Sequence, residues 1–467
     1  MRRFLTVLFI MASVMGAQEF RATLEGTVID PNQAVVPGAQ LTLVNVETAV
    51  EHQTTSGADG HYVFGLLTPG KYSLTTKAAG FKTDKHDSIP LNVGDTVRLD
   101  IDLALGEASE SIVVSANAVA VAIDSSSLGS VVRQDIVDSL PLKGHGTLLM
   151  FELSAGVVSP IFPDDVRAID QMHSVQYTSN GSPLGTGDVS LDGVSDMADV
   201  NRGYYIAAYQ PSADSIAEFK LQSGTLPAEY GRSSGSISNI VTKSGTNDVH
   251  GTMFENMRNS ALDANSFFNN VSGTKLAVYR QNNFGFTIGG PVWLPKIYNG
   301  KNRTFFFMSY GGLRATSAFG GGRLNVPTAQ MRTGDFSQVP TPIYDPYSVQ
   351  PVNGVQTRTP FPGNVIPASE QDPVAKNLMQ YWPTPNVASS TSSPWVGNYS
   401  SGGGAFPSGY DFFDMKFDQT ISSKQQIFAR VNFGPGSLWN PYDFPGLASP
   451  GRFENKRPNQ GATLSDT

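Results

Sequence analysis

The residues able to do chemistry are few. Gly231-Arg232-Ser233-Ser234-Gly235 has the G-x-S-x-G spacing of a nucleophile elbow, a sharp strand-to-helix turn that exposes a catalytic serine. Ser233 stands in the wrong surroundings for that role. Leu226-Pro227-Ala228-Glu229-Tyr230 precedes it where a buried strand is needed, and a strand-like run from Ser236 to Thr242 follows where a helix is needed. The six histidines, His52, His61, His86, His145, His173 and His250, include no pair at the i, i+4 spacing of metal ligands and read as surface or loop residues. Asp192, Asp196 and Asp199 are close enough to raise the question of a hard cation, but the regular oxygen ladder and terminal glutamate of a calcium loop are missing. They read as solvated loop acids. No cysteine occurs, which removes thiol nucleophiles, disulfide scaffolds and Cys-ligated metals together. The chain is therefore expected to have no catalytic residue, no metal site and no cofactor, and not to be an enzyme.

The elements that carry these residues are mainly β. With 47 Gly, 30 Pro, 27 Phe and 16 Tyr, the composition favours turns and pleated surfaces over helices. A length of 467 residues suggests about three domains. Only 15% of residues are charged, 32 basic against 40 acidic, so no electrostatic footprint for nucleic acid exists. Residues 1–17, MRRFLTVLFIMASVMGA, combine two arginines, a short apolar run and small residues near a cleavage point, the pattern of a secretory signal peptide. No later stretch of 18 apolar residues follows. A membrane location would then require a closed β-barrel, the other structure that satisfies every backbone group in hydrocarbon.

Residues 18–105 alternate short β-branched runs with turn signals, the pattern of a small sandwich. Leu41, Leu43 and Val46, Tyr62 and Phe64, and Leu99, Ile101 and Leu103 are expected to face one side. Gly26, Pro37-Gly38-Ala39, Asp59-Gly60, Tyr62, Phe64, Pro69-Gly70-Lys71-Tyr72 and Gly80-Phe81 give this block a resemblance to the carboxypeptidase regulatory-like domain. That resemblance implies a carbohydrate-binding-like fold without peptidase chemistry. It leaves open whether the domain is a rigid spacer or touches glycan.

Within residues 106–130 lies Glu-Ser-Ile-Val-Val-Ser-Ala, 110–116. It resembles the TonB box of TonB-dependent outer-membrane transporters, which implies an energy-coupling role for Ser111, Ile112, Val113, Val114 and Ser115. Coupling there is β-augmentation: a loose strand adds to the sheet of a TonB-type energy-transducing protein through its backbone groups.

Residues 131–248 resemble the plug domain of the same transporters, an α+β unit. The resemblance rests on LPLKGHGTLLMFELSAGV (140–157), SLDGV (190–194), PSADSIAEFKLQSG (211–224) and AEYGRSSGSISNIVTKSGTN (228–247). The wording is nearest the Oar-like branch, in which a regulatory-like domain precedes the plug. Leu148, Leu149 and Leu153 are expected on a helix packed against the plug sheet, and the run from Ser236 to Lys243 is expected to lead towards the barrel wall.

From residue 249 to 467, alternating runs appear between long loops, the dyad pattern of a transmembrane barrel. Phe413, Met415 and Phe417 alternate with Asp414, Lys416 and Asp418. Ile427, Ala429, Val431 and Phe433 alternate with Phe428, Arg430 and Asn432, and Phe284, Phe286 and Ile288 with Gly285, Thr287 and Gly289. A Pro- and Gly-rich segment at about 311–407 reads as a long extracellular loop, a ligand contact or a lid. The remaining length leaves room for five or six strands, so the barrel is expected to be incomplete and the chain to be a fragment. The whole reads as a mainly β chain: a small β-sandwich, an α+β plug, then the first strands of a transmembrane β-barrel. The resemblance implies the N-terminal part of a TonB-dependent receptor in the bacterial outer membrane. Its partners would be outer-membrane lipid, a TonB-type protein and an extracellular ligand that no motif identifies. The competing reading is a secreted β-rich adhesion or glycan-binding protein.

Overall fold

A computed structural model describes residues 20–467 except 107–110, 116–126, 134–135, 137–149, 152, 159–176, 201–203, 225, 227–229, 232, 272, 274, 320–322, 390–392, 401–403, 424, 441–443 and 445–452. The expected signal peptide, His145, His173, Leu148 and Leu149 lie outside the described residues. The chain is mainly β, in three sheet-built units that follow one another along the sequence.

The first unit pairs two sheets around one core. Its strands are β1 (Ala22–Ile29), β2 (Gln40–Asn45), β3 (Glu51–Thr55), β4 (His61–Leu67), β5 (Gly70–Lys77), β6 (Thr83–Leu91), β7 (Thr96–Arg98), β8 (Ile101–Asp102) and β9 (Ser111–Ser115). One sheet runs β4-β1-β7 with β8 also on β1, and the other runs β3-β2-β5-β6-β9. The period-2 alternation places Leu24, Val28, Leu41, Leu43, Tyr62, Phe64, Ile101 and Leu103 in the core, with Leu99 packed at its margin. Val46 departs from the expected set at 58% exposure. The strand has ended at Asn45, whose side-chain oxygen takes the amides of Glu47 and Thr48 and turns the chain outward. Gly26 occupies an inward position of β1 because a Cβ there would strike the Leu99 carbonyl, the same oxygen that accepts the Tyr62 hydroxyl at 2.6 Å.

In the second unit, β10 (Ser127–Arg133), β11 (Asp188–Leu191), β12 (Val194–Ser195), β13 (Ile216–Gly224) and β14 (Ser236–Thr242) form a sheet of order β10-β13-β14-β11-β12. All pairings are antiparallel except β11 with β14, and every residue of β14 is buried. Met150 and Phe151 enter this core, whereas Leu153, expected to pack inward, is 43% exposed. The described chain there makes only a short 3-10 turn, so the 3.6-residue spacing assumed for Leu153 does not apply.

The third unit is an antiparallel meander of β15 (His250–Asn259), β16 (Tyr279–Pro291), β17 (Thr304–Phe319), β18 (Gly404–Ser422), β19 (Gln425–Phe433), β20 (Gly436–Asn440), β21 (Phe453–Arg457) and β22 (Gln460–Asp466). Its main order is β15-β16-β17-β18-β19-β22, with β20 joining β18 to β21. The strand count slightly exceeds the five or six expected. Among the described residues β15 and β22 do not pair with each other, so the sheet is open. Its polarity is inverted relative to a soluble sheet. Asp414, Lys416, Arg430 and Asn432 are buried at 2 to 5% exposure, while their neighbours Phe417, Val431 and Phe433 stand at 38 to 47%. Leu313, Tyr410 and Phe412 on the inner face join the core of the second unit.

The segment expected as a loop over 311–407 is shorter and more ordered than that. β17 extends to Phe319 and β18 begins at Gly404, and between them lie helices Ala329–Arg332 and Pro373–Met379, a small hairpin of Gln350–Val352 with Val355–Thr357, and a two-residue ladder that pairs Arg323 and Leu324 with Ser400 and Tyr399. Asn364 ties the lobe together by donating its amide to the carbonyls of Phe336, Val339 and Thr341 at 2.9 to 3.1 Å. Among the described residues no helix is long and apolar enough to cross a membrane.

Candidate functional site

The strongest concentration of buried charge lies where the second unit meets the third. It is built on a two-residue turn. Leu191 pairs with Val194, and Asp192 and Gly193 between them have φ of 49° and 78°, the positive values that a tight type I′ hairpin demands. Asp tolerates that conformation and Gly adopts it freely. The Asp192 amide donates to the Ile240 carbonyl at 2.9 Å, and its carboxylate accepts the Thr242 amide at 2.9 Å and hydroxyl at 2.7 Å, both from β14.

So held, the carboxylate faces two cations from the third unit: Lys416 Nζ of β18 at 3.4 Å and Arg430 Nε of β19 at 3.2 Å. All three side chains are at most 5% exposed. Burial alone would raise the Asp192 carboxyl, but Lys416, Arg430 and the two Thr242 bonds outweigh it and hold the group below the ordinary aspartate range. The Lys416 ammonium also lies 5.0 Å from the Phe428 ring centroid. Beside the triad the Tyr209 hydroxyl donates to Asp414 at 2.6 Å, a second bond between the two units.

A second junction joins the first unit to the same middle sheet. The turn after β6 presents Val93, Gly94 and Asp95 to β13. Lys220 Nζ donates to the Val93 carbonyl at 2.9 Å and the Gly94 carbonyl at 3.2 Å, and pairs with Asp95 at 2.7 Å. The Val93 amide donates to Glu218 Oε2 at 2.6 Å. Burial, with Asp95 adding to it, pushes the Glu218 carboxyl up to about 7 despite the Val93 bond. Phe20 and Val93 pack with Val241 and Phe428 alongside, so all three units touch here.

The residues expected from sequence fare differently. Ser111–Ser115 form β9, paired in parallel with β6 from Thr83↔Ser111 to Asp87↔Ser115. Ser233 donates its hydroxyl to the carbonyls of Ser236 at 2.6 Å and Thr186 at 3.1 Å and is followed by β14, not a helix. Asp192 is not a solvated loop acid but the buried centre of the triad. Asp196 is half-buried and accepts the Tyr209 amide at 3.2 Å, and the side chain of Asp199 lies outside the described residues. His86, expected at the surface, is 7% exposed and pairs with Asp84 at 2.8 Å, because the inward face of β6 takes its ring. Among the described residues no group of three or more His, Cys, Asp or Glu is placed to hold a metal ion. Sequence alternation marks Lys416 and Arg430 only as the polar face of their strands, and Glu218 and Lys220 carry no sequence expectation. The available signal was a charged residue at every second position of a strand whose other positions are aromatic or aliphatic.

Asp192→Asn leaves two buried cations facing a neutral group, and a loss of about 3–5 kcal/mol is expected from the denaturant midpoint of purified protein. The triple change Asp192→Leu, Lys416→Met and Arg430→Met is expected to recover only part of that loss, because Asp414, buried beside the triad, then loses the Arg430 charge it faces. For Glu218 the value in the docked state, about 7, lies above the ordinary 4.5, so docking favours the protonated carboxyl. Its contribution is full below about pH 4.5 and is lost as pH rises through about 7. Protection of the Val93 amide, corrected for intrinsic exchange, is expected to fall over that window in the native chain. In Glu218→Gln it is expected to stay level.

A model of the carboxypeptidase regulatory-like domain matches residues 23–104, and one of the outer membrane beta barrel domain matches residues 241–467. The TonB-dependent transporter Oar of Myxococcus xanthus is 27% identical over 291 residues, which is 59% of this chain and 26% of that protein. The carboxypeptidase N catalytic chain of Mus musculus is 30% identical over 101 residues, 22% of this chain and 20% of that protein. Among solved structures, the outer membrane transporter YddB from Escherichia coli aligns with 67% of this chain and 33% of its own at 10% identity and a TM-score of 0.41. The chain thus spans about a quarter of the length of the Oar protein it matches. Joining a carboxypeptidase regulatory-like domain to an outer membrane beta barrel domain, the chain is a homologue of the TonB-dependent transporter Oar.

Proposed function

We propose that this chain supplies the regulatory-like domain, the plug and barrel strands of a TonB-dependent outer-membrane receptor that passes an extracellular ligand using energy from the inner membrane. The observation that supports this most is the inverted third sheet. Its inner face carries Asp414, Lys416 and Arg430 against the middle unit, and its outer face carries Phe417, Val431 and Phe433. A wall of that polarity suits lipid outside and a filled lumen inside. In this reading residues 249–467 contribute to the barrel, 131–248 are the plug and 18–105 form a periplasmic cap behind the cleaved signal peptide at 1–17.

The Asp192–Lys416–Arg430 triad and the Tyr209–Asp414 bond then fasten plug to barrel. Such contacts are firm while whole and costly to break singly, so a ligand alone does not move the plug. Work comes from a TonB-type protein that adds a strand to Ser111, Ile112, Val113, Val114 and Ser115 within the 106–130 segment. The ordered lobe between β17 and β18 lies at one end of the wall, where it serves ligand contact. No covalent step is required of any residue, and the reading is not enzymatic.

Two measurements on the full chain test this. The protein is expected in the outer-membrane fraction, and its detergent-solubilised form is expected to be captured by the periplasmic domain of a TonB-type protein. Val113→Pro, which removes a backbone donor from the strand, is expected to weaken capture at least tenfold. A protein found soluble in the periplasm, or captured equally well with proline at 113, would overturn the reading.

A further inference from the structure

Three alternate positions of β19, Gln426, Phe428 and Arg430, lie on one face of the strand. Arg430 reaches Asp192, and the first unit occupies the other two. Gln426 Nε2 lies 3.5 Å from His52 Nε2 of β3. The Phe20 ring, just before β1, meets the Phe428 ring edge-on with centroids 6.1 Å apart. Phe20 is 6% exposed and shares its core with Val93 and Val241. The same Phe428 ring lies 5.0 Å from Lys416 Nζ, so one aromatic side chain touches both the first unit and a cation of the triad. β14 is divided in the same way. Val241 packs with Phe20 and Val93, while the next residue, Thr242, gives its amide and hydroxyl to Asp192.

A second seat lies where the chain leaves β14. The Asn247 amide donates to the Glu47 carbonyl at 3.1 Å, and its side chain donates to the Thr48 carbonyl at 2.8 Å. That side chain also donates to Asn302 Oδ1 at 2.7 Å and accepts the Asn302 amide at 2.8 Å, in the turn between β16 and β17. The first unit is therefore attached to the third sheet at two places as well as to the second unit.

We propose that the first unit is a clasp on the junction between the second and third units: seated on Phe428, it buttresses the Lys416 arm of the triad, so that the middle unit's hold on the third sheet depends on the first unit being docked. The physical cause is shielding. A cation over a ring gains more when the pair is desolvated, and an ion pair is stronger in a drier setting. Lifting Phe20 opens the Phe428 ring to water and frees it to turn, which loosens Lys416 against Asp192. Such a linkage is reciprocal, so the intact triad also favours docking of the first unit. The clasp is a property of contacts within the chain and goes beyond the transport reading, since it holds whether or not a ligand is passed.

The Thr242 amide and the Lys416 amine are both held by Asp192 and report the triad, whereas the Val93 amide is held by Glu218 and reports docking of the first unit. In the full-length protein in detergent, Phe20→Ala is expected to raise exchange of the Thr242 amide and acylation of Lys416 by acetic anhydride about fivefold or more, with Val93 exchange rising as well. Phe20→Leu, which refills the seat, is expected to restore most of the protection. Phe428→Ala is expected to raise the Thr242 and Lys416 rates at least as much as Phe20→Ala, and the double variant is expected to go no further, because both changes act through one ring. Asn247→Ala removes the second seat and none of the triad's own bonds. It is expected to move the same two rates in the same direction, and it carries the test if Phe20→Ala does not fold. Thr242 and Lys416 rates unchanged in Phe20→Ala, whether or not the Val93 amide opens, would sink the clasp. So would fully additive effects of Phe20→Ala and Phe428→Ala, or both rates unchanged in Asn247→Ala.

Discussion

Burial of one carboxylate organises the junction on which the rest of the molecule depends. Asp192 has no solvent-exposed side-chain surface and stands between Lys416 and Arg430. None of the three groups is tolerable alone in that position, because an unpaired buried charge costs several kcal/mol. The hairpin that presents Asp192, the strand that supplies Thr242, and the two wall strands that bring the cations are therefore fixed relative to one another. Tyr209 and Phe219 pack with Leu313, Tyr410 and Phe412 in one apolar core shared by the second and third units. The arrangement is specific more than it is strong, since a matched apolar set could stabilise equally well. It fixes where the middle unit sits against the wall.

The junction between the sandwich and the middle sheet has a different character. Glu218 and Lys220 grip backbone groups of the turn at Val93 and Gly94, and the Asp95 carboxylate and the buried Val93 side chain add to that hold. Together the two junctions connect β9, through β6 and the turn, to β13, and from that sheet to the wall. A pull applied to β9 while it lies on β6 would load the sandwich first and the middle sheet second.

Much of this was legible in the residues. The alternation of Phe413, Met415 and Phe417 with Asp414 and Lys416 marks β18 and its two faces, and the turn signals with Leu41, Leu43, Tyr62 and Phe64 mark the sandwich. Errors arose where local rules were overridden. Val46 follows the spacing of a strand that Asn45 ends, Leu153 has helical spacing where the described chain forms a 3-10 turn, and His86 faces inward on its strand. The triad was not legible because Asp192 lies 224 positions before Lys416. Nothing local to Asp192 marks it as buried beyond an Asp-Gly turn, which most often lies in water. The burial depends on the register of β18 and β19, which single-sequence alternation leaves free by any even number of residues.

The central claim is that the third sheet is a membrane wall whose charged face turns inward to the middle unit. Neighbouring positions on β19 test it most directly, in a chain with no other cysteine. With Val431→Cys and Asn432→Cys made separately in the full protein in outer membranes, position 431 is expected to react with a lipid-soluble thiol reagent and to resist a charged, water-soluble one. Position 432 is expected to resist the lipid-soluble reagent. Ready reaction of position 431 with the charged reagent, or labelling of 432 from the lipid phase, would contradict the account.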